Sequence, residues 1–386
     1  MAALPGSAFA TWSQVDRQLE GRWPSLRSHM AAALRLRAWP IAWVLVCCVL
    51  SVGASYKRGW SQHPVWPAYE AKLAHPLSTP ASPPEYAEHI GNMDLRLTVP
   101  AIGFALDLRR QGLSALYFVA GALVLLFAFR LIEQASADRV SASLATLGIA
   151  ATSVGAQGFI GSPFYDPVAT LLGVVCLQRF NRAALAAACL AALFVDERAI
   201  AMFPAILLSQ WLHGQRSGSR ARRDAATWLL LVAAVVAVWL GARWWLVASV
   251  GLRAPVAGDS VGLLALSHTF YAWPLLLASS LEAGWWVVAL VAAGRPEPSR
   301  LVNAALVSAV ALPMLLSMAA HDLSRSMSFA LPAFVLCCAE LARQRPRDDR
   351  RSIFLLVAIG NLACWDVLYY GRVMFAPAVP VAWLTR

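Results

Sequence analysis

The sequence predicts an all-α polytopic membrane protein of about eleven transmembrane helices, and three observations carry that prediction. Hydrophobic residues occupy 59% of the 386 positions and charged residues only 14%, too little polar surface for a water-soluble globule. Apolar runs near the length that crosses a bilayer recur along the chain. The segments between them alternate, with arginine concentrated in every second one.

The first run, Trp39 to Ala54, follows 38 residues that include Arg17, Arg22, Arg27, Arg35 and Arg37. That leader is too long and too polar for a cleaved signal peptide. It reads as a cytoplasmic N-terminal segment (1–38) ahead of an uncleaved first helix. The other spans fall at about 113–132, 141–159, 166–180, 183–195, 198–212, 226–250, 270–293, 301–320, 327–343 and 352–371. They form one transmembrane domain over 39–374, followed by a tail at 375–386. Residues 56–112 are a large first extracytoplasmic loop. Its stretch from Arg96 to Gly112 has an apolar core too short to cross and reads as an amphipathic helix on the outer surface.

Asp196-Glu197-Arg198 separates two short apolar runs. Three consecutive charges inside hydrocarbon would cost several kcal/mol, so they read as a turn at the membrane surface. Treating 183–195 and 198–212 as separate crossings puts His213 to Arg223, Arg295 to Arg300 and Arg343 to Arg351 on one side, the cytoplasmic one. The cost is Arg109 and Arg110 on the other side. The polar clusters then converge outside: the first loop, Tyr165-Asp166, Asp196 to Arg198, Arg253 to Asp259 and His321 to Arg325. A bacterial-type inner membrane, with the active face outward, is the location this arrangement implies.

The same residues argue against several functions. The formal charge of +11 sits in short inter-helix segments, as orientation requires, so nucleic acid is not an expected partner. The seven cysteines lie in apolar runs with no C-x-x-C spacing. No phosphate-cradling Gly-rich loop, His metal cluster or nucleophile elbow appears, and no two-fold internal repeat suggests a secondary transporter. The expected partners are instead a membrane and a lipid-linked substrate whose head group lies at the outer boundary.

Four places along 40–370 resemble the GT-C superfamily of integral-membrane glycosyltransferases, with short and degenerate motifs. Arg96-Leu97-Thr98-Val99-Pro100 is similar to the start of that family's juxtamembrane helix. Asp166 opens a helix as the family's luminal Asp often does. Asp196-Glu197-Arg198 stands where related bacterial proteins have a Thr-Arg-Glu type turn, and His321 to Arg325, ahead of Pro332, resembles a late luminal Asp-x-x-Arg segment. The resemblance implies a polyprenyl-phosphate sugar as donor, a lipid or envelope glycan as acceptor, and no cofactor beyond a compatible divalent ion. The chain departs from the family just after its first helix: Tyr56 to Trp60 stand where an acidic residue or pair is usual.

Inverting sugar transfer needs a base for the acceptor hydroxyl and cations for the leaving phosphate. Asp94, two residues before the surface helix, is the first candidate base, its alternative being a helix-dipole charge. Glu88 and Glu70 follow, each equally readable as a solvated loop residue. Arg243, beside Trp244-Trp245, is placed for phosphate contact or for snorkelling. Arg198, Arg325, His321 and Arg96 are further substrate-binding candidates. Arg198 could equally neutralise Glu197, Arg325 could neutralise Asp322, and Arg96 pairs naturally with Asp94 or Glu88. Asp166 before Pro167 has the form of an N-cap, and with Asp196, Glu197, Glu282 and Asp322 it completes the cleft. Glu282 is expected at the outer boundary of a crossing that begins near Ser279. The competing function is a non-catalytic relative of the family or a lipid-linked sugar flippase in envelope polysaccharide assembly.

Overall fold

The computed structural model describes residues 12–22, 24–55, 65–80, 93–156, 159, 165–216, 221–253, 270–294, 299–319, 323–369 and 373–377. These form helices α1 (Trp12–Arg22), α2 (Pro24–Arg35), α3 (Trp39–Ser55), α4 (Trp66–Ala74), α5 (Thr98–Ala105), α6 (Arg110–Ser136), α7 (Arg139–Ala150), α8 (Ser153–Ala156), α9 (Asp166–Val175), α10 (Arg182–Val195) and α11 (Phe203–Arg216). The second half adds α12 (Ala221–Trp245), α13 (Trp273–Leu281), α14 (Trp285–Ala292), α15 (Ser299–Ser317), α16 (Leu323–Met327), α17 (Leu331–Gln344) and α18 (Arg347–Ala363). A short antiparallel ribbon, Trp365–Tyr369 with Val373–Pro377, follows.

Five helical stretches are long and apolar enough to cross a membrane: Arg110–Ser136, Ala226–Val250, Trp273–Ala292, Arg300–Ser317 and Leu323–Gln344. A sixth, Pro24–Arg35 with Trp39–Ser51, qualifies only as a bent pair. The chain is therefore a helical membrane protein. The helices α7, α9 and α10 are apolar but short; at 1.5 Å per residue the 10 residues of α9 cover only about 15 Å.

Each expected span overlaps a helix, but 141–159 is broken after Ala150 and 270–293 at Glu282, and other bounds shift. The last span does not run to 371: α18 stops at Ala363 and Trp365 to Tyr369 is extended. That segment, Trp-Asp-Val-Leu-Tyr, is rich in residues that fit a pleated surface. Its partner strand also takes in 375–377, the start of the expected tail. The stretch from 96 to 112 is not one surface helix, because α5 ends at Ala105 and the long helix α6 already begins at Arg110. Between them Asp107 adopts φ +47°. Finally, the helix expected to begin near Ser279 begins at Trp273. Glu282 breaks it midway, at φ +51° and ψ −121°, instead of standing at its start.

Contacts at helix ends order the bundle. Arg198, just before α11, donates to Ser326 in α16 at 2.8 Å. At the far end of the same pair, Arg216 of α11 meets Glu340 of α17 at 2.6 Å. The end of α9 lies beside the end of α11, where Gln210 and Ser209 donate to the carbonyls of Cys176 and Leu177. So α9, α11 and α17 run parallel, with Asp166, Arg198 and Arg325 at one end. Gly173 permits this approach: a Cβ there would lie 2.5 Å from Met202 Sδ and 2.9 Å from Pro332 Cγ. The stretch Leu323–Gln344 is buried along its apolar length, whereas Ala226–Val250 is mostly open to the surroundings. The first is the axis of the bundle and the second its lipid-facing rim.

Candidate functional site

The polar residues before and after the short helices meet at one end of the bundle. The turn leaving α10 places Asp196 fully buried, accepting from the Arg198 backbone N–H at 2.9 Å and so capping the 3-10 turn Glu197–Met202. Arg198 also folds its guanidinium back onto Asp196, at 2.9 Å from Nε and 2.7 Å from Nη2. Arg96, from the segment before α5, reaches Asp196 at 2.9 Å and Glu197 at 2.7 Å. Nη2 of Arg198 continues to Asp166 at 3.1 Å, and Arg325 closes the chain on the other Asp166 oxygen. Arg243, over the ring of Trp239 at 4.7 Å, approaches Glu197 at 3.8 Å.

The result is an alternating row: Arg243, Glu197, Arg96, Asp196, Arg198, Asp166, Arg325. Among the described residues the row sets four guanidiniums against three carboxylates. Burial alone would push the Asp196 carboxyl up, but the charges and hydrogen bonds of Arg198 and Arg96 hold it well below the usual carboxylate range. Arg96 likewise stays charged, since Asp196 and Glu197 outweigh its desolvation. Exposure separates the carboxylates. The side chain of Glu197 is 34% exposed, against 0% for Asp196 and 7% for Asp166.

Asp94 lies in a second, smaller cluster. It is buried, accepts from Arg253 Nε at 2.7 Å and has Lys72 Nζ at 3.9 Å. Arg253 and Lys72 also donate to the carbonyls of Pro80 and Ser78. Burial pushes the Lys72 ammonium down to about 8, opposed by Asp94 and assisted by Arg253. Asp94, Lys72, Tyr69, Met93 and Pro80 enclose a water-sized cavity.

Several expected pairings are therefore replaced. Arg96 turns away from Asp94 to Asp196 and Glu197, while Arg253 takes Asp94. Arg198 pairs with Asp196 and Asp166 instead of Glu197; Arg325 pairs with Asp166, while the expected pair with Asp322 lies outside the described residues. Asp166 is not the N-cap: Tyr165 holds that position without a side-chain cap, and the Asp166 carboxylate is drawn off by the two guanidiniums. Glu70 stands apart, half-exposed, 3.4 Å from Arg110. It borders an open groove of about 480 Å³ that Phe104, Asp107 and Arg109 also line. Glu282 sits at its helix break between α13 and α14. Glu88, His321 and Asp322 lie outside the described residues. Among the described residues no three His, Cys, Asp or Glu side chains gather as a metal site.

Lys72 and Tyr69 escape the sequence reading, and Arg253 enters it only as the start of an outer polar segment. Lys72 follows Glu70 in what reads as a solvated loop, and Arg253 belongs to a remote segment. Tyr69 is buried beside the row, feeling the charges of Arg325, Arg96, Asp166 and Asp196, and its ring packs edge-on to Tyr165 at 5.6 Å. The recurrence of Tyr near charged residues at helix starts is the one signal the sequence offers for it.

No family model, no curated protein and no solved structure matches the chain. The fold itself defines the class, a multi-pass helical membrane protein with a cationic, mostly buried charge row at one end of its bundle.

Proposed function

We propose that the chain is a GT-C-like glycosyltransferase of about eleven crossings, with the charge row at the extracytoplasmic end of an inner-membrane bundle. It takes a sugar from a polyprenyl-phosphate donor and passes it to an envelope glycan or lipid. The observation that carries this reading is the fourth guanidinium of the row. Arg243 is the least neutralised member of the row: among the described residues its ion pair is the long, 3.8 Å approach to the part-exposed Glu197. An anion with mobile oxygens would complete it.

In the reaction the acceptor oxygen bonds to the anomeric carbon as the bond from that carbon to the phosphate oxygen breaks. The acceptor proton passes to a carboxylate, and the phosphate leaves with its developing charge facing Arg243 and Arg96. Asp94 is the carboxylate this proposal assigns as base. Its Oδ1 has no hydrogen bond among the described residues and borders the small cavity. Asp166 and Asp196 serve to hold the guanidiniums in place.

The competing reading, a non-catalytic relative or a flippase, has its own observation. Asp94 is only 1% exposed and its carboxylate is engaged by two cations of the protein itself. The experiment is purified protein with a labelled polyprenyl-phosphate sugar and an envelope acceptor. Asp94→Asn and Arg243→Ala are expected each to abolish transfer while the protein stays folded. Transfer that persists in both variants removes the enzyme reading as stated. Donor binding that requires Arg243, with no turnover in the native protein, supports the non-catalytic one.

A further inference from the structure

We infer that α2 is an in-plane membrane anchor, seated on anionic lipid head groups of the leaflet at the end of the bundle opposite the charge row. The first observation is the angle. The chain bends by 110° between α2 and α3, whose apolar run forms the membrane-crossing arm of the pair. A helix nearly perpendicular to a crossing arm lies along the bilayer surface. The angle is also held: Arg139, which starts α7, donates to the carbonyls of Leu34 at 2.6 Å and Leu36 at 3.1 Å, and its Nε is fixed by Glu133 at 2.7 Å. The Leu34 carbonyl is in the last turn of α2, where the guanidinium answers the helix dipole, and the Leu36 carbonyl, which also accepts from the Trp39 N–H, ties the bend itself. Beyond the bend, the indoles of Trp39 and Trp43 donate to Ser143 of α7.

The second observation is the surface α2 presents. None of its residues is buried. Leu26, Met30 and Ala33 recur at i, i+4 and i+7 on one face, and Leu26 and Met30 are exposed at 43% and 42%. The other face carries Ser28 and Arg35, with His29 at the edge of the stripe. The exposed stripe continues past the bend through Leu36 to Ile41, Leu45 and Val49 of α3, the face a crossing helix turns to lipid. The charge is complementary to acidic head groups. Arg27 is consumed by Asp16 and Glu20 of α1, but Arg35 and Arg37 are exposed and have no carboxylate partner among the described residues. An amphipathic helix of this kind sinks its apolar face about 5–10 Å into the boundary between head groups and acyl chains.

The test uses the full-length protein in bilayers, with a nitroxide at Met30→Cys or Ser28→Cys. Six of the seven native cysteines are buried, so the unsubstituted protein reports the labelling background. Collisions with oxygen and with a water-soluble nickel chelate give depth. The expected result is a label at 30 inside the acyl boundary and a label at 28 in water, with the difference enlarged when phosphatidylglycerol is added to phosphatidylcholine. Arg35→Gln with Arg37→Gln is expected to remove that lipid dependence and leave the fold intact. Equal water access at 28 and 30 overturns the anchor. A deep label at 30 that ignores phosphatidylglycerol overturns the head-group assignment, and a label at 30 shielded from both probes, as in a contact between copies, overturns the lipid as occupant.

Discussion

The two ends of the same bundle are closed by charge in different ways. At the Asp138 end most hydrogen bonds finish on helix termini. Asp138 caps α7 through the Ser141 N–H, and Arg351 of α18 grips the same carboxylate at 2.6 and 2.8 Å. Arg350 donates to the carbonyls of Ser136 and Ala342, and Arg139 to those of Leu34 and Leu36. These are the groups that helices leave unsatisfied at their ends. At the Asp196 end, among the described residues, the bond of this kind is the one the Arg198 N–H donates to Asp196. The ion pairs there join side chains from segments that include the one before α5, α9, α12 and α16, four guanidiniums meeting three carboxylates among the described residues. Charge that terminates on caps holds helices together. Charge that joins side chains across segments, with one sign in excess, is available to a ligand.

The contrast can be broken most forcefully at its most buried members. Asp196→Ala leaves Arg96 and Arg198 facing each other without their shared partner. It is expected to cost about 3–5 kcal/mol, read as a lowered midpoint of thermal unfolding in detergent. Asp138→Ala leaves one buried guanidinium and an uncapped helix. Its expected cost is about 3 kcal/mol, since Arg347 and Arg350, at 3.8 and 4.0 Å, lose less. Arg243→Ala separates ligand chemistry from stability. Its pair with Glu197 is long and the glutamate is part-exposed, so unfolding should move by about 1 kcal/mol or less. Sugar transfer should fall by roughly 10²–10³-fold. A large loss of stability there would make the row structural like its counterpart. Arg216→Gln, at an ion pair whose arginine is 39% exposed, is expected to change stability by about 0.2–1 kcal/mol.

Much of this was legible in the residues. The apolar runs placed the helices, and Asp196-Glu197-Arg198 marked a break between two of them because hydrocarbon does not accept three adjacent charges. That Arg96, Arg198, Arg243, Arg325, Asp166 and Glu197 share one end also followed, from alternation of the runs. The pairings did not. Asp94 lost Arg96 to Asp196 and Glu197 about a hundred residues away, and Glu197 lost Arg198 to its near neighbour Asp196 and to Asp166, 32 residues away, because local geometry and helix packing set which guanidinium reaches which carboxylate. Asp166 shows the same competition: a helix start recommends it as a cap, yet two guanidiniums draw its oxygens away. The end of α18 was lost for another reason. An apolar run continues past Ala363, and hydropathy does not distinguish a helix from the extended Trp365 to Tyr369.

Both clusters should lend stability that rises with pH, in two separate windows. Burial would raise the Asp138 carboxyl, but hydrogen bonds from Arg351 and Ser141 and the charges of Arg351 and Arg347 hold it at about 2. Its folded value lies below the ordinary value near 3.9, so the stabilisation is complete above about pH 4 and is lost as pH falls through about 2. Lys72 has the same sign in a higher window. Burial lowers it to about 8, so between about pH 8 and the ordinary lysine value near 10.4 the unfolded chain binds more protons than the folded one. Stability contributed at this site therefore rises with pH across that interval. Unfolding midpoints followed from pH 2 to 10 should show the acid loss reduced in Asp138→Asn and the alkaline rise flattened in Lys72→Met. A Lys72→Met protein that keeps the full alkaline rise would mean that the ammonium is stabilised by Asp94 as fully as in water. The Asp94 cluster would then be a balanced ion pair like those at the Asp138 end, and Asp94 a poorer base for it.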